Sequence, residues 1–90
     1  EVDLHINELI DTTAGMDNAA ILEYQLNKFH EVMKRELKFK NRKIVFIHGK
    51  GDGVLKTSLI NELRKKYPKC QYQDASFQEY GYGATMVIIK

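Results

Sequence analysis

The sequence predicts an α/β fold, a two-layer sandwich in the order β-α-β-α-β-β, with a four-stranded mixed sheet and two helices. Three observations predict it. Two segments, beginning near Asn18 and Val54, repeat apolar residues at helical spacing. Four short β-prone or alternating runs surround them. Two helices and four strands pack most economically as one helical layer on one sheet.

Val2-Asp3-Leu4-His5-Ile6 alternates strictly. It reads as a first strand with Val2, Leu4 and Ile6 on one face and Asp3 and His5 on the other. Residues 7–16 hold Asn7, Asp11, Thr12, Thr13 and Gly15 and read as a loop with a short turn. Asp17 is placed to cap a long helix reaching about Phe39. Its apolar stripe is Leu22, Leu26, Phe29, Met33 and Leu37, widened by Ile21 and Val32, while His30 falls on the polar side. Lys40-Asn41-Arg42 connects to a second strand, Lys43 to Ile47.

The second helix runs from about Val54 to Lys66, with Leu55, Leu59, Ile60 and Leu63 towards the core. Tyr67-Pro68 ends it, because the residue before proline avoids helical geometry. A third strand follows from about Lys69 to Gln73, then a loop from Asp74 to Gly83 that contains Phe77, Tyr80 and Tyr82. Ala84 to Ile89 is almost entirely apolar, which predicts a central or well-covered last strand. The first strands should be parallel, and one sheet face should be open or thinly covered.

Ninety residues make one domain. A hydrophobic share of 43% with five tyrosines and four phenylalanines excludes a disordered chain. No apolar run approaches the roughly 18–20 residues of a membrane span. Cys70 is the single cysteine, which excludes an internal disulfide and a cysteine-based zinc site. That usage, with no signal-peptide pattern, fits a cytoplasmic location. Glu1 in place of methionine reads as an excised domain or a processed chain.

The net charge of +2 hides a strong asymmetry. Residues 1–27 contain six acids and no Lys or Arg, whereas residues 28–69 contain thirteen Lys or Arg and four acids. Such a basic centre suits a polyanion such as nucleic acid. The plainer reading is that the same lysines wet the faces and ends of two helices.

Ile44-Val45-Phe46-Ile47-His48-Gly49-Lys50-Gly51-Asp52-Gly53 is the most informative stretch. Strand, glycine turn and helix is an arrangement that aims backbone N–H groups at an anion. Gly49, Gly51 and Gly53 let the backbone approach a ligand, and Lys50 and Lys56 add positive charge within the same basic block. The stretch is neither a Walker A loop nor a dinucleotide fingerprint, because Val54 follows Gly53. If the first two strands are neighbours, Asp3, His5, His48 and Lys50 converge beyond their carboxyl ends, where ligands bind in such sheets. An Asp–His pair orients an imidazole for general acid–base work near neutral pH. Lysine and amide N–H groups stabilise a phosphoryl centre, so the suggested reaction is phosphodiester cleavage. No ligand spacing points to a structural metal, no cofactor motif is evident, and a divalent ion such as magnesium or manganese stays open.

These motifs together resemble the Smr (small MutS-related) domain family. Val2-Asp3-Leu4-His5 looks like the family's L-D-L-H opening. Ile47-His48-Gly49-Lys50-Gly51-Asp52-Gly53-Val54-Leu55 looks like its I-H-G-K-G-x-G-x-L turn, and Gly83-Ala84-Thr85-Met86-Val87 like its closing G-x-T-x-V strand. The resemblance implies a fold like the C-terminal domain of bacterial initiation factor three, often placed as the C-terminal module of a longer protein. It implies nucleic-acid binding, and in several members nicking of DNA or cleavage of RNA. Asp3, His5 and His48 map onto the family's opening acid and its two histidines, and Gly49, Lys50, Gly51 and Gly53 onto its turn.

Ile6 stands where the family opening continues with glycine, and the arginine- and glycine-rich stretch before the last strand is thinned, with Asp74 and Glu79 present. Three readings follow. The chain is a nuclease module, a silent nucleic-acid-binding module, or a protein-interaction domain. With no base-reading element, contacts are expected chiefly to the DNA or RNA backbone or to its shape. No membrane partner is expected.

Overall fold

The computed structural model describes residues 1–49, 53–81 and 83–90, and only the backbone of Phe77 and Tyr80. The elements are β1 (Val2–Asp3), α1 (Ile6–Leu9), α2 (Asn18–Glu36), β2 (Lys43–Ile47), α3 (Val54–Lys66), β3 (Gln71–Asp74), α4 (Phe77–Tyr80) and β4 (Ala84–Ile88). The predicted α/β sandwich with a four-stranded mixed sheet is present. The sheet order is β1-β2-β4-β3, with β1 parallel to β2 and β4 antiparallel to both its neighbours. The apolar last strand is central, as its composition requires.

Several boundaries differ from expectation. Two single-turn helices, α1 and α4, join the two long ones. The first strand stops at Asp3, because the Asp3 carboxylate accepts the His5 backbone N–H at 2.9 Å and turns the chain into α1. Ile6 therefore opens a helix and does not extend the strand. The third strand starts two residues late, after Cys70 closes a turn back to the Tyr67 carbonyl. The long helix ends at Glu36, three residues early. Asp17 caps it as expected, accepting the Ala20 N–H at 2.8 Å.

One face of the sheet carries both long helices. Ile44 and Phe46 of β2, Val87 of β4 and Ile89 just beyond it meet Phe29, Val32 and Met33 of α2 and Leu59 and Leu63 of α3. Leu4 joins them fully buried. Phe29 sits edge-on to Phe46 with centroids 4.9 Å apart, a favoured aromatic geometry. The alternate residues Val45, Ile47, Met86 and Ile88 stay half-exposed on the other face. That is the thinly covered face the sequence predicts.

The long helices run the same way. Leu22 near the start of α2 lines one cleft with Val54 and Leu55 at the start of α3, and His30 further along reaches Glu62 and Tyr67. Both N-termini thus lie at the carboxyl ends of β1 and β2, and both C-termini at the opposite end. His30 is not on a free polar face. Its Nε2–H donates to Glu62 at 2.9 Å, Nδ1 pairs with the Tyr67 hydroxyl at 2.8 Å, and the ring closes the seam between the helices. The bond from His30 is the main cause holding the Glu62 carboxyl below its ordinary value, and burial pushes the Tyr67 hydroxyl up.

Candidate active site at the glycine turn

Parallel pairing of β1 with β2 sets Asp3 beside Ile47, and the Leu4 N–H donates to the Ile47 carbonyl at 2.8 Å. The end of β1 is thereby fixed next to the turn that leaves β2. Beyond it, His5 Nδ1 lies 2.6 Å from Asp3 Oδ1. The carboxylate can only accept, so Nδ1 carries a proton, and in the neutral ring Nε2 holds the lone pair. The same Asp3 oxygen accepts the His5 backbone N–H, so one carboxylate fixes both main chain and ring. About half of the His5 side chain is exposed.

The ring leans on Gly49. A Cβ at residue 49 would stand 2.6 Å from His5 Nε2, inside van der Waals contact, and Gly49 has φ +75°. Both the close approach and the left-handed backbone call for glycine there. Gly53, at φ +82°, is the N-cap of α3 and has no side chain of its own with which to cap it. A Cβ on Gly53 would meet open space, so its requirement is conformational alone. Lys50, Gly51 and Asp52 lie outside the described residues.

His48 faces the other way. It is buried beneath the turn, with Nδ1 2.9 Å from the Gly49 carbonyl and Nε2 2.9 Å from Thr85 Oγ1. The carbonyl only accepts, so Nδ1–H donates to it and Nε2 accepts the Thr85 hydroxyl. Burial is the largest influence on this imidazole and pushes it below its ordinary value, so the neutral form is favoured. The His48 and Gly49 N–H groups both donate to the Gly83 carbonyl, at 2.8 and 2.9 Å, which ties the turn to the start of β4.

The structure therefore brings Asp3 and His5 together against Gly49, and it engages both nitrogens of His48 within the fold. Lys56 is paired with Asp74 at 2.9 Å, so the phosphate ligand expected from sequence already has an internal anion. Thr85 received no role from the sequence. The signal was present, as a hydroxyl residue in phase with Val87 and Ile89 on the buried face of an aliphatic strand. Among the described residues no cluster of three or more His, Cys, Asp or Glu side chains could hold a metal ion.

The expected coincidence of the glycine turn with the basic block does not hold in space. Lys43 and Ile47 are the two ends of β2, about 13 Å apart at strand rise. Residues 34–43 and 64–69 end up at the far end of the sheet from Gly49, because β2 and α3 each run from one end to the other.

An α/β fold with an Asp–His pair beside Gly49 at the end of β2 is thus the class that fold and site define. The family model of the Smr domain matches residues 19–90, and the chain belongs to the Smr domain family. The match begins inside α2, so Asp3 and His5 precede it. No match was found among curated proteins or among solved structures. No helix among the described residues is long and apolar enough to cross a membrane.

Proposed function

We propose that the domain binds nucleic acid and cleaves its phosphodiester backbone, with His5 as general base. The observation that carries this reading is the Asp3–His5 pair, half-exposed and set against Gly49 at the end of β2. Membership in a family whose domains generally bind and nick nucleic acid supports it.

In this reading the backbone of residues 49–53, with Lys50 and Lys56, holds the scissile phosphate, and phosphate competes with Asp74 for Lys56. His5 Nε2 takes a proton from the attacking oxygen, either water or an RNA 2′-hydroxyl. That oxygen bonds to phosphorus, the bond to the leaving oxygen breaks, and the leaving oxygen takes a proton from solvent water, while the imidazolium returns its own proton to solvent. Asp3 holds the ring and stabilises the imidazolium that forms. His48 supports the turn from beneath through Gly49 and Thr85. Magnesium or manganese would serve to neutralise phosphate charge.

The test is a nicking and cleavage assay on supercoiled DNA and structured RNA, with and without magnesium or manganese. His5→Ala and Asp3→Asn run beside the parent. Cleavage that falls by about 10² or more in His5→Ala is expected. Cleavage equal in parent and variant would remove His5 from the chemistry. A parent that binds but does not cut would leave a silent binding module. The internal engagement of His48 and Lys56 favours that second reading, because two of the expected site residues already have partners.

A further inference from the structure

We propose that the end of the sheet opposite the glycine turn is a phosphate-backbone contact surface. It is formed by the C-termini of α2 and α3, the α2–β2 connection and the start of β3. The proposal rests on the nucleic-acid-binding reading and places its main electrostatic contact away from the reacting edge.

The topology gathers the charge there. Residues 34–43 hold six Lys or Arg and one acid, residues 64–69 hold four and none, and Lys90 adds another. The chain segments meet directly, with Asn41 N–H donating to the Ile89 carbonyl at 2.7 Å and Lys40 Nζ to the Lys90 carbonyl at 2.9 Å. The acids at this end are already engaged. Glu36 accepts Arg42 at 2.8 Å, and Glu62 lies between His30 at 2.9 Å and Lys66 at 3.6 Å.

A helix C-terminus is satisfied by one or two cations in its last turn. Arg35 and Lys66 already supply that, and Lys38, Lys40, Lys43, Lys69 and Lys90 lie beyond both helices. Charge of one sign packed this densely repels itself in the free fold, and contact with a polyanion relieves it. The cluster also has a shape. Lys40, Lys66, Lys69 and Lys90 surround a concavity of about 320 Å³ between Leu37 and Tyr67. Such a concavity admits a phosphate group with cations on several sides.

The occupant is nucleic acid and not a lipid surface. Of the exposed large hydrophobic residues among those described, only Phe39 lies at this end, and the Arg42 guanidinium sits 4.1 Å from its ring centre. Insertion into a bilayer interface needs an apolar face beside the lysines.

The experiment titrates fluorescein-labelled DNA and RNA duplexes with the chain across a salt series, reading anisotropy. The triple variant Lys40→Gln, Lys66→Gln, Lys69→Gln is compared with the parent and with Lys28→Gln, which lies midway along α2. The expected result is a loss of about tenfold or more in affinity for the triple variant at ionic strength about 0.1 M. The slope of log affinity on log salt should become shallower by about two to three. Lys28→Gln should match the parent, and circular dichroism should show all three folded. If the triple variant is unfolded, Lys69→Gln alone should still lower the slope by about one.

Unchanged affinity and slope in a folded triple variant, with a loss in Lys56→Gln, would overturn the proposal and leave nucleic-acid binding at the turn intact. A parent that binds neither duplex, or that binds only vesicles of phosphatidylserine, would overturn both this proposal and the reading beneath it.

Discussion

His5 Nε2 faces Gly49 so closely that a Cβ on residue 49 would come within 2.6 Å of it. Gly49→Ala therefore meets two obstacles, the +75° φ and the imidazole. It should lose about 2–3 kcal/mol of stability in urea unfolding, or displace the ring and lose cleavage. Gly53→Ala, with φ +82° and open space around it, should lose only about 1 kcal/mol. Equal losses at the two sites would show that His5 does not press on the turn.

Asp3→Asn keeps a similar shape and removes the charge that orients His5 and stabilises its imidazolium. Turnover should fall by about 10²–10⁴ with KM little changed, because the interaction strengthens only as the proton is taken. Stability should move by no more than about 0.5 kcal/mol, since both side chains are well exposed. A rise in KM at constant kcat would assign Asp3 to binding instead.

His48 gives the fold a pH dependence of known sign. Burial lowers its pKa in the folded chain from the ordinary 6.5, so the unfolded chain binds the proton more readily. Its contribution to stability is complete above pH 6.5 and is lost as pH falls from there towards the folded value. The difference in unfolding free energy between parent and His48→Asn should shrink between pH 7 and pH 5. Thr85→Val, which leaves His48 Nε2 without its donor, should lose about 1–3 kcal/mol at pH 7, and Thr85→Ser much less.

Glu62 acts in a separate window. The His30 bond lowers its pKa, so its contribution is present above pH 4.5 and lost as pH falls below that through the folded value. Glu62→Gln should flatten this acid limb without changing the slope above it. Tyr67→Phe should lose about 1 kcal/mol at neutral pH by leaving His30 Nδ1 unpaired. A double-mutant cycle between the two that sums without a coupling energy would show that the Tyr–His–Glu chain does not act as a unit.

The sequence made some elements plain because it punctuates them. Gly53 and Tyr67-Pro68 bound α3 at Val54 and Lys66, and Lys43 to Ile47 matches β2. The family was legible because several motifs stand in order. The short helices α1 and α4 were not, since four residues cannot display a helical period. His30 was misread because its partners Glu62 and Tyr67 stand 32 and 37 residues away, a contact only the packing of α2 on α3 creates. Proximity in sequence also misled for the lysines, because a strand and a helix each carry the chain from one end of the molecule to the other. At the site, Asp3 and His5 do meet as expected, but through the turn that the Asp3 carboxylate makes with the His5 N–H and not through strand alternation, since β1 stops at Asp3. The inward turn of His48 depended on Thr85, 37 residues on.

The thirteen residues of α3 span about 20 Å from Gly53 to the lysines beyond it. On the proposed reading of both ends, that length makes the domain a ruler. A duplex held at the basic end and cut at His5 must reach across about six base pairs at 3.4 Å each. Shorter oligonucleotides can occupy one end or the other but cannot bridge them, so productive cleavage should set in at a threshold length while simple binding rises smoothly.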